Sequence, residues 1–458
     1  MCFISKSKNL NRKVLVCLSL LFVYGLSGKI RAQTIDDTIH FSLQDAIQRG
    51  VDSSKTLIIS TARIDEAMAR WKQTRDAILP HISIGFNPSE AFILTRTLQI
   101  DGMMREPMKL PSHTTLYMGN LSISQTIFAG NQYRYAQKSA ALLHQIAQYN
   151  AASDSEDVKI DLIQSYINLY KIDENQKVLQ KELVDVMERL KEVEQFRDQG
   201  LATDNDVLRF KLQKANVELA QIDLYNNRMI ANYALGILLK LPVGTYISVD
   251  TTLFYPEQVP GLQELTQTAM RERSEIAVYN TQNQLSAIQI KKIKGQKLPT
   301  IGAGISSYYI NPNSKFFPDK HTFLFPITIG LNLGWNISSL YTTKNKVAEA
   351  EIQKKEVEVA QSATVDQISM DVYNHYLNYL QSLKKIQLLQ TSIEQAHEND
   401  RIMELKYQNQ LATTTDRIDA QTLLYQSLIN LNIAKADAST AYYKLLKATG
   451  KLNKSLTF

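Results

Sequence analysis

The sequence predicts a mainly α-helical subunit that also carries a membrane β-barrel part. Long antiparallel coiled-coil helices are joined to four strands that other subunits must help to close. Three observations predict this. The chain is written twice. Each half holds a very long stretch free of helix breakers, with apolar residues three and four apart. Each half also holds two segments in which apolar residues alternate with small or polar ones.

The duplication is legible in three ordered pairs. Leu79-Pro80-His81-Ile82-Ser83-Ile84-Gly85 returns as Leu298-Pro299-Thr300-Ile301-Gly302-Ala303-Gly304. Leu201-Ala202-Thr203, followed by Asp206, returns as Leu411-Ala412-Thr413, followed by Asp416. Ala231-Asn232-Tyr233 returns as Ala441-Tyr442-Tyr443. Three matches in the same order indicate a repeated unit of about 210 residues. The resulting boundaries are a first repeat over 33–240, an intervening segment over 241–261 and a second repeat over 262–458.

Proline is absent between Pro111 and Pro242 and after Pro326, and glycine is absent from 335 to 449. Proline breaks helix interiors and glycine weakens them, so long helices fit these stretches. They are placed over about 129–199 and 338–410, with return helices over about 203–240 and 413–449. Val365, Ile368, Val372, Tyr376, Tyr379, Leu383 and Ile386 step by three and four, the spacing of one helix face. Ile160, Ile163, Ile167 and Tyr170, then Leu179, Leu183 and Val186, do the same with a register slip between the two runs. The return helices carry Leu208, Leu212, Leu219, Ile222, Tyr225, Met229 and Tyr233, and Leu424, Leu428, Leu431, Ala434 and Ala438. All these stripes are expected to be core packing. A helix of about 70 residues is roughly 100 Å long, which suits a coiled coil and exceeds any globular core. Gly200 and Asn409-Gln410 mark the reversals. Thr203 to Asp206 and Thr413 to Asp416 restart helices with side chains that accept from free amides and suit the dipole.

Strands are expected over about 80–96, 114–128, 298–310 and 322–337. The last is clearest: Phe323, Phe325, Ile327, Ile329, Leu331, Leu333, Trp335 and Ile337 alternate with small or polar residues. In the second strand Gln125 interrupts an otherwise apolar face. Such length, with one apolar face and one small hydrophilic face, suits a barrel around water more than a soluble sandwich. Phe128 and Trp335 at one end, with Tyr308, Tyr309, Phe316 and Phe317 towards the other, read as membrane-interface aromatics in contact with lipid. Four strands cannot close a water-filled barrel, and bare edges in lipid are prohibitive, so several subunits must share one. Three would supply twelve strands.

Residues 1–32 have a basic start (Lys6, Lys8, Arg12, Lys13), a short apolar run from Val14 to Leu26 and a cut site after Ala32, the pattern of an export signal. A retained membrane anchor is the alternative, but the run is short for a span. Cys17 makes a poor lipid-attachment site, since only three residues separate it from Lys13. The segment holds six of the 51 basic residues and no acid, so the rest of the chain balances 45 basic against 45 acidic side chains. That balance argues against a nucleic-acid partner. Both cysteines, Cys2 and Cys17, lie in the same segment. The seven histidines form no metal-ligand spacing, and no nucleophile elbow or phosphate loop occurs. No enzyme activity and no cofactor are expected.

Two strand pairs, each followed by a long helix, a reversal and a return helix, resemble the TolC family of outer-membrane efflux proteins. Ser124-Gln125-Thr126-Ile127-Phe128-Ala129-Gly130 resembles its strand-to-helix junction, with Ala129 where Asp is frequent. Gln199-Gly200-Leu201-Ala202-Thr203 resembles its first hairpin tip. The second copy departs at Gly334-Trp335-Asn336-Ile337-Ser338, and at Gln410 where Gly is frequent. The resemblance implies a homotrimer with a twelve-stranded barrel in the outer membrane and a helical tunnel in the periplasm. It implies an exit duct of a tripartite efflux or type I secretion system, with a periplasmic adaptor (membrane fusion) protein and an inner-membrane transporter as partners. The tips Gly200, Leu201, Ala202, Thr203, Gln410, Leu411, Ala412 and Thr413 would then dock the adaptor. Asp416 and Asp419 match an acidic pair at the tunnel entrance, where a ring of six carboxylates would raise their pKa. Asp416 also reads as a helix cap, as do Asp204 and Asp206. By the same resemblance, Tyr246-Ile247-Ser248-Val249 belongs to a belt around the tunnel and Phe458 to the aromatic chain end of outer-membrane barrels. A secreted structural coiled coil is the alternative function. A diffusion porin would lack the helices.

Overall fold

The computed structural model describes residues 38–92, 94, 97–98, 106, 108–109, 112–311 and 325–455. The expected export segment and Phe458 lie outside them. The first half runs β1 (Thr38–Phe41), α1 (Leu43–Ser53), α2 (Lys55–Asp76), β2 (His81–Phe92), β3 (His113–Ala129), α3 (Gln132–Asp198) and α4 (Asp204–Leu238). Strand β4 (Tyr246–Val249) lies between the halves. The second half runs α5 (Leu262–Glu272), α6 (Ser274–Gly295), β5 (Thr300–Asn311), β6 (Ile327–Gly334), α7 (Ser339–Gln408), α8 (Thr414–Ala448) and the short α9 (Leu452–Ser455). A two-residue ladder pairs Thr97–Leu98 with Met108–Lys109.

The duplication reaches into backbone detail. A single extended residue separates the paired short helices in each half: Ser54 (φ −65°, ψ 122°) and Arg273 (φ −66°, ψ 127°). Ser54 Oγ also accepts from Leu57 N, capping α2.

Strands β2, β3, β5 and β6 form one antiparallel sheet in that order. The helices extend the same order. Helix α2 packs on α3, α3 on α6 and α6 on α7. Towards the reversals α4 packs on α3, α3 on α8 and α8 on α7. The subunit is therefore one layer of strands continuing into one layer of helices. Its two margins are β2 with α2 and α4, and β6 with α7.

At the junction of the two layers, Gly130 and Gly295 cross backbone to backbone. A Cβ on Gly130 would sit 2.1 Å from the Gly295 carbonyl oxygen, and one on Gly295 would sit 2.3 Å from that of Gly130. Gly130 also has φ +60°.

The core lies where α3 meets both halves. Leu162, Tyr166 and Leu169 pack with Phe41, Leu235, Leu239 and Ile247, while Ile160, Ile163 and Ile167 pack with Ala436 and Tyr443. Strand β4 pairs in parallel with β1. No sequence pattern announced β1, whose four residues are too few to display a period. Tyr166 Oη ties this ladder to α3 by donating to Phe41 O (2.9 Å) and accepting from Asp250 N (2.8 Å). Arg228, fully buried, donates to Asp173 (3.0 Å), Asn232 (2.8 Å) and Ile247 O (2.5 Å) and stacks on the Tyr246 ring. Burial pushes the Asp173 carboxyl up, against the opposing pull of Arg228.

Two expectations need correction. The stripe Leu208, Leu212, Leu219, Ile222, Tyr225, Met229 and Tyr233 of α4 is exposed, not core. Val207, Phe210, Val217, Ala231 and Leu235 are the α4 residues that pack within the chain. Both sets step by three and four, so periodicity alone could not choose between them. The last strand ends at Gly334, whereas alternation ran on to Ile337. There Ser339 N and Oγ both donate to Asn336 O, and the chain turns into α7. As expected, α3 runs unbroken through the register slip, with Ile172 and Asn175 buried between the two runs.

Changing Gly130 to Ala adds a left-handed backbone penalty to a backbone clash. The expected cost is about 3–4 kcal/mol, read as a lower chemical-denaturation midpoint. Ala at the open-space Gly261 leaves that midpoint near wild type.

Candidate functional site

Two regions carry the side chains singled out by sequence: the faces of the sheet and the two helix reversals. Residues directly opposite in a ladder share a face. Ile82 opposes Ile123, Ile84 opposes Leu121, Ile123 opposes Ile305, and Ile305 opposes Ile329. Leu331 opposes Ala303 and Leu333 opposes Ile301 on the same face. This apolar face is continuous across all four strands, and Ile84, Ile329 and Leu331 are each at least 75% exposed. The opposite face carries Ser83, Ser122, Ser124, Ser306, Thr328 and Asn332, with glycines between.

The interface aromatics separate by position. A bulge at Ile127 returns Phe128 to the apolar face opposite Ile301. Trp335 follows β6 at the same end and donates from Nε1 to Lys297 O (3.0 Å). Tyr309, opposite Gly119, lies on the apolar face towards the other end, but its neighbour Tyr308, opposite Asn120, lies on the polar face. Adjacent strand residues cannot share a face. Phe316 and Phe317 lie outside the described residues. Gln125, on the apolar face, lies near the helix end, with Nε2 3.5 Å from Ile78 O.

The reversals are built alike. Leu201 N donates to Phe196 O and Leu411 N to Lys406 O, both 2.8 Å, closing each long helix around a left-handed residue. That residue is Gly200 (φ +76°) in the first tip and Gln410 (φ +60°) in the second. The return helices begin in reciprocal capping boxes. Thr203 Oγ1 accepts from Asp206 N while Asp206 Oδ2 accepts from Thr203 N (2.9 Å). Thr413 and Asp416 repeat this at 2.9 Å. Threonine is thus the cap, and each aspartate supplies the returning bond. Asp204 occupies the first turn.

Hydrogen bonds from the Thr413 side chain and backbone hold the Asp416 carboxyl below its ordinary range. Within one subunit this is opposite to the rise expected of a carboxylate ring. For Asp206 burial pushes upward, but bonds from Thr203 and Thr414 outweigh it and the carboxyl stays low. Such depressed groups stabilise the tips above the ordinary carboxylate range and lose that effect as pH falls through their folded pKa. Asp419 is exposed, on the same helix as Asp416.

Between the tips lies a polar joint that the sequence reading did not find. Thr414 Oγ1 donates to Asp206 Oδ1 (2.6 Å), and Arg209 Nη1 donates to Thr415 Oγ1 (2.6 Å). Buried Arg417 bridges Asp400 (2.5 Å) and Glu404 (2.6 Å), and Arg189 reaches Glu404 (2.9 Å) and Glu192 (2.8 Å). Tyr425 Oη donates to Asp185. Buried Glu182 accepts only a long bond from Gln213 (3.4 Å). Burial, with Asp185 adding to it, pushes Glu182 up to about 7 despite the Gln213 bond. The available signal was Arg417, Gln421 and Tyr425 at helical spacing, which places polar groups on an inward face. Among the described residues no group of His, Cys, Asp and Glu converges to hold a metal, and no helix is long and apolar enough to cross a membrane.

Two substitutions probe the tips. Gln410 to Gly relieves a left-handed side chain and is expected to stabilise the second tip by about 1 kcal/mol, read as slower amide exchange at Leu411 and Ala412. Glu182 binds its proton more tightly folded than unfolded. Stability is therefore expected to fall as pH rises from its ordinary 4.5 to about 7 and to level off above. Glu182 to Gln should remove that slope, an effect of order 3 kcal/mol at pH 8 and little at pH 4, measured by denaturation across pH.

Residues 265–451 match the family model described as outer membrane efflux protein. No curated protein matches the chain in sequence. Solved structures match over most of it. The outer membrane protein VceC of Vibrio cholerae aligns with TM-score 0.72 at 16% identity, covering 89% of this chain and 96% of its own. The Campylobacter jejuni CmeC outer membrane channel aligns with TM-score 0.72 at 15% identity, covering 90% and 86%. The open state of the Neisseria gonorrhoeae MtrE outer membrane channel aligns with TM-score 0.72 at 17% identity, covering 90% and 89%. The second half of the chain thus resembles the outer membrane efflux protein family, and through nearly all of its described length the chain has the fold of these solved outer-membrane channels.

Proposed function

We propose that this protein is the outer-membrane exit duct of a tripartite efflux or type I secretion system, assembled from three copies. The observation that carries this reading is a four-stranded sheet with one continuous exposed apolar face and two unpaired margins. An apolar face of this kind is suited to hydrocarbon, where each unpaired backbone group costs several kcal/mol. Three copies edge to edge give twelve strands, enough to surround water. The opposite face then lines the lumen, where serine, threonine, asparagine and glycine leave room and bind water.

The separation of Phe128 and Trp335 from Tyr309 supports the same placement. Eight residue steps, from Ile301 to Tyr309, span about 26 Å along the strand, comparable with the height of an apolar barrel band. The reading therefore assigns Phe128, Trp335 and Tyr309 to the lipid interface and Tyr308 to the lumen. The helices, about 100 Å long, then extend away from the membrane into the periplasm. Their tips at 200–203 and 410–413 are exposed except for the half-buried Ala202 and Ala412, and are suited to an adaptor, with an inner-membrane transporter beyond it. Asp416 and Asp419 face the tunnel entrance in this reading. A secreted coiled coil would leave the apolar sheet face without a purpose.

The purified full-length protein is expected to have the mass of three chains in detergent and to form channels in planar bilayers. A detergent-free soluble monomer would overturn the proposal. Ile329 to Lys, on the lipid side, should cost about 2–4 kcal/mol near mid-membrane and block assembly in the outer membrane. Thr328 to Lys, on the lumen side, should assemble and shift selectivity towards anions.

A further inference from the structure

Positive charge collects where the strands turn into helices. Residues 71–80, 130–140, 289–299 and 335–346 flank that junction. They hold ten lysines and arginines and one acid, Asp76. In the rest of the chain beyond residue 32, acids outnumber bases.

Three of these cation positions are filled in both halves. Lys72 and Arg75 return as Lys291 and Lys294, by the step that carries Leu79-Pro80 onto Leu298-Pro299. Arg134 returns as Lys344, by the step that carries Leu201-Ala202-Thr203 onto Leu411-Ala412-Thr413. Their neighbours changed meanwhile: Asp76 corresponds to Gly295 and Tyr133 to Thr343. All six cations are exposed. They stand on α2, α3, α6 and α7, the full width of the helical layer, within about 15 Å of the sheet along their helices.

Helix ends do not account for them. A cation suits the ends of α2 and α6 but opposes the dipole where α3 begins. Arg134 stands in the first turn of α3, and neither α3 nor α7 has an acid in its first turn. Ion pairing does not account for them either. Among the described residues only Lys294 of the six meets a carboxylate, Glu351 at 3.7 Å, with both side chains more than half exposed. Such a surface pair contributes little.

Helix α7 indicates what covers them. Leading away from the sheet, Trp335, Ile337, Leu340 and Tyr341 are all exposed. Lys344 follows one turn later, three and four residues on from Tyr341 and Leu340 and therefore on their face. Apolar, aromatic and then cationic is the order in which a protein leaves hydrocarbon through the interface into the headgroups. Long basic side chains lay their stems on apolar surface and carry the charge out to phosphate. A water-filled lumen would give the exposed Leu340 and Tyr341 no partner.

We propose that these cations form a collar that binds anionic phospholipid headgroups in the membrane leaflet at the helix end of the sheet. Each subunit contributes the six repeated positions together with Lys138, Lys292, Lys297 and Lys346, and three copies close the collar into a ring. The collar rests on the trimeric membrane placement proposed above. The apolar sheet face then sets how deep the protein sits, and the collar sets which lipid charge gathers around it.

The only tryptophans of the chain, Trp71 and Trp335, both lie at the junction, so Trp71→Phe leaves Trp335 as a reporter of neighbouring lipid. The full-length protein carrying this change is placed in phosphatidylcholine vesicles. These contain equal fractions of either brominated phosphatidylglycerol or brominated phosphatidylcholine, and quenching of Trp335 is compared. At low salt a preference of about five-fold for phosphatidylglycerol is expected, the factor one basic residue provides at an anionic surface. It is expected to fall towards one at 1 M salt, where the Debye length is about 3 Å. Adding Arg134→Gln, Lys291→Gln, Lys294→Gln and Lys344→Gln should abolish it at low salt while trimeric mass is kept. Equal quenching by the two lipids in the parent protein, or a preference that the variant retains, would overturn the collar and leave the duct reading standing. So would a variant that keeps the lipid preference but loses anion selectivity in phosphatidylcholine bilayers, since its cations would then line the water path. Should the variant not assemble, the parent still decides, because a preference undiminished at 1 M salt overturns the collar. Absence of quenching by either lipid, or a monomeric mass in detergent, would instead overturn the membrane reading itself.

Discussion

A strand edge cannot be left bare in oil. That constraint governs the subunit more than any single contact does. The four-stranded sheet satisfies its backbone everywhere except along β2 and β6, and it exposes isoleucine and leucine across one whole face. In water the face would drive aggregation; in hydrocarbon the edges would be intolerable. Both are satisfied together in the proposed assembly, where copies meet edge to edge in a membrane. The helices inherit the same order, so the margins of the sheet and of the helical layer fall on the same two sides of the subunit.

Interior and margin are held by different physics. Inside the chain, buried charge is paired: Arg228 with Asp173 under the small parallel ladder, and Arg417 with Asp400 and Glu404 near the tips. Removing one member of such a pair strands the other, which makes these joints costly to open. Along the margins, leucines and aromatics such as Leu212, Tyr233, Tyr373 and Leu423 stand exposed instead. Duplication produced two similar halves, and divergence then made the joint within the chain chemically different from its exposed margins.

The tips show how much one position decides. Gly200 adopts a left-handed conformation without penalty, while Gln410 adopts it with a side chain attached. The threonine–aspartate capping boxes survive in both copies because each satisfies amides that nothing else reaches. Asp416 therefore serves its own helix by returning the bond of the capping box.

Much was readable from the sequence alone. Proline and glycine absence placed the long helices, because those residues act locally on the backbone. Alternation placed the strands, because a pleat fixes which neighbours share a face. Gly200 and Asn409-Gln410 placed the reversals. Tertiary structure decided the rest. A stripe at helical spacing has no label for inside or outside, so Leu212 and Phe210 could be assigned only once α3 and α8 were in place. The faces of Tyr308 and Tyr309 waited on ladder register. The Arg417 joint and the Thr414–Asp206 bond join residues up to 208 positions apart. Periodicity reports how a segment relates to itself, whereas burial and pairing depend on which other segment comes to lie against it.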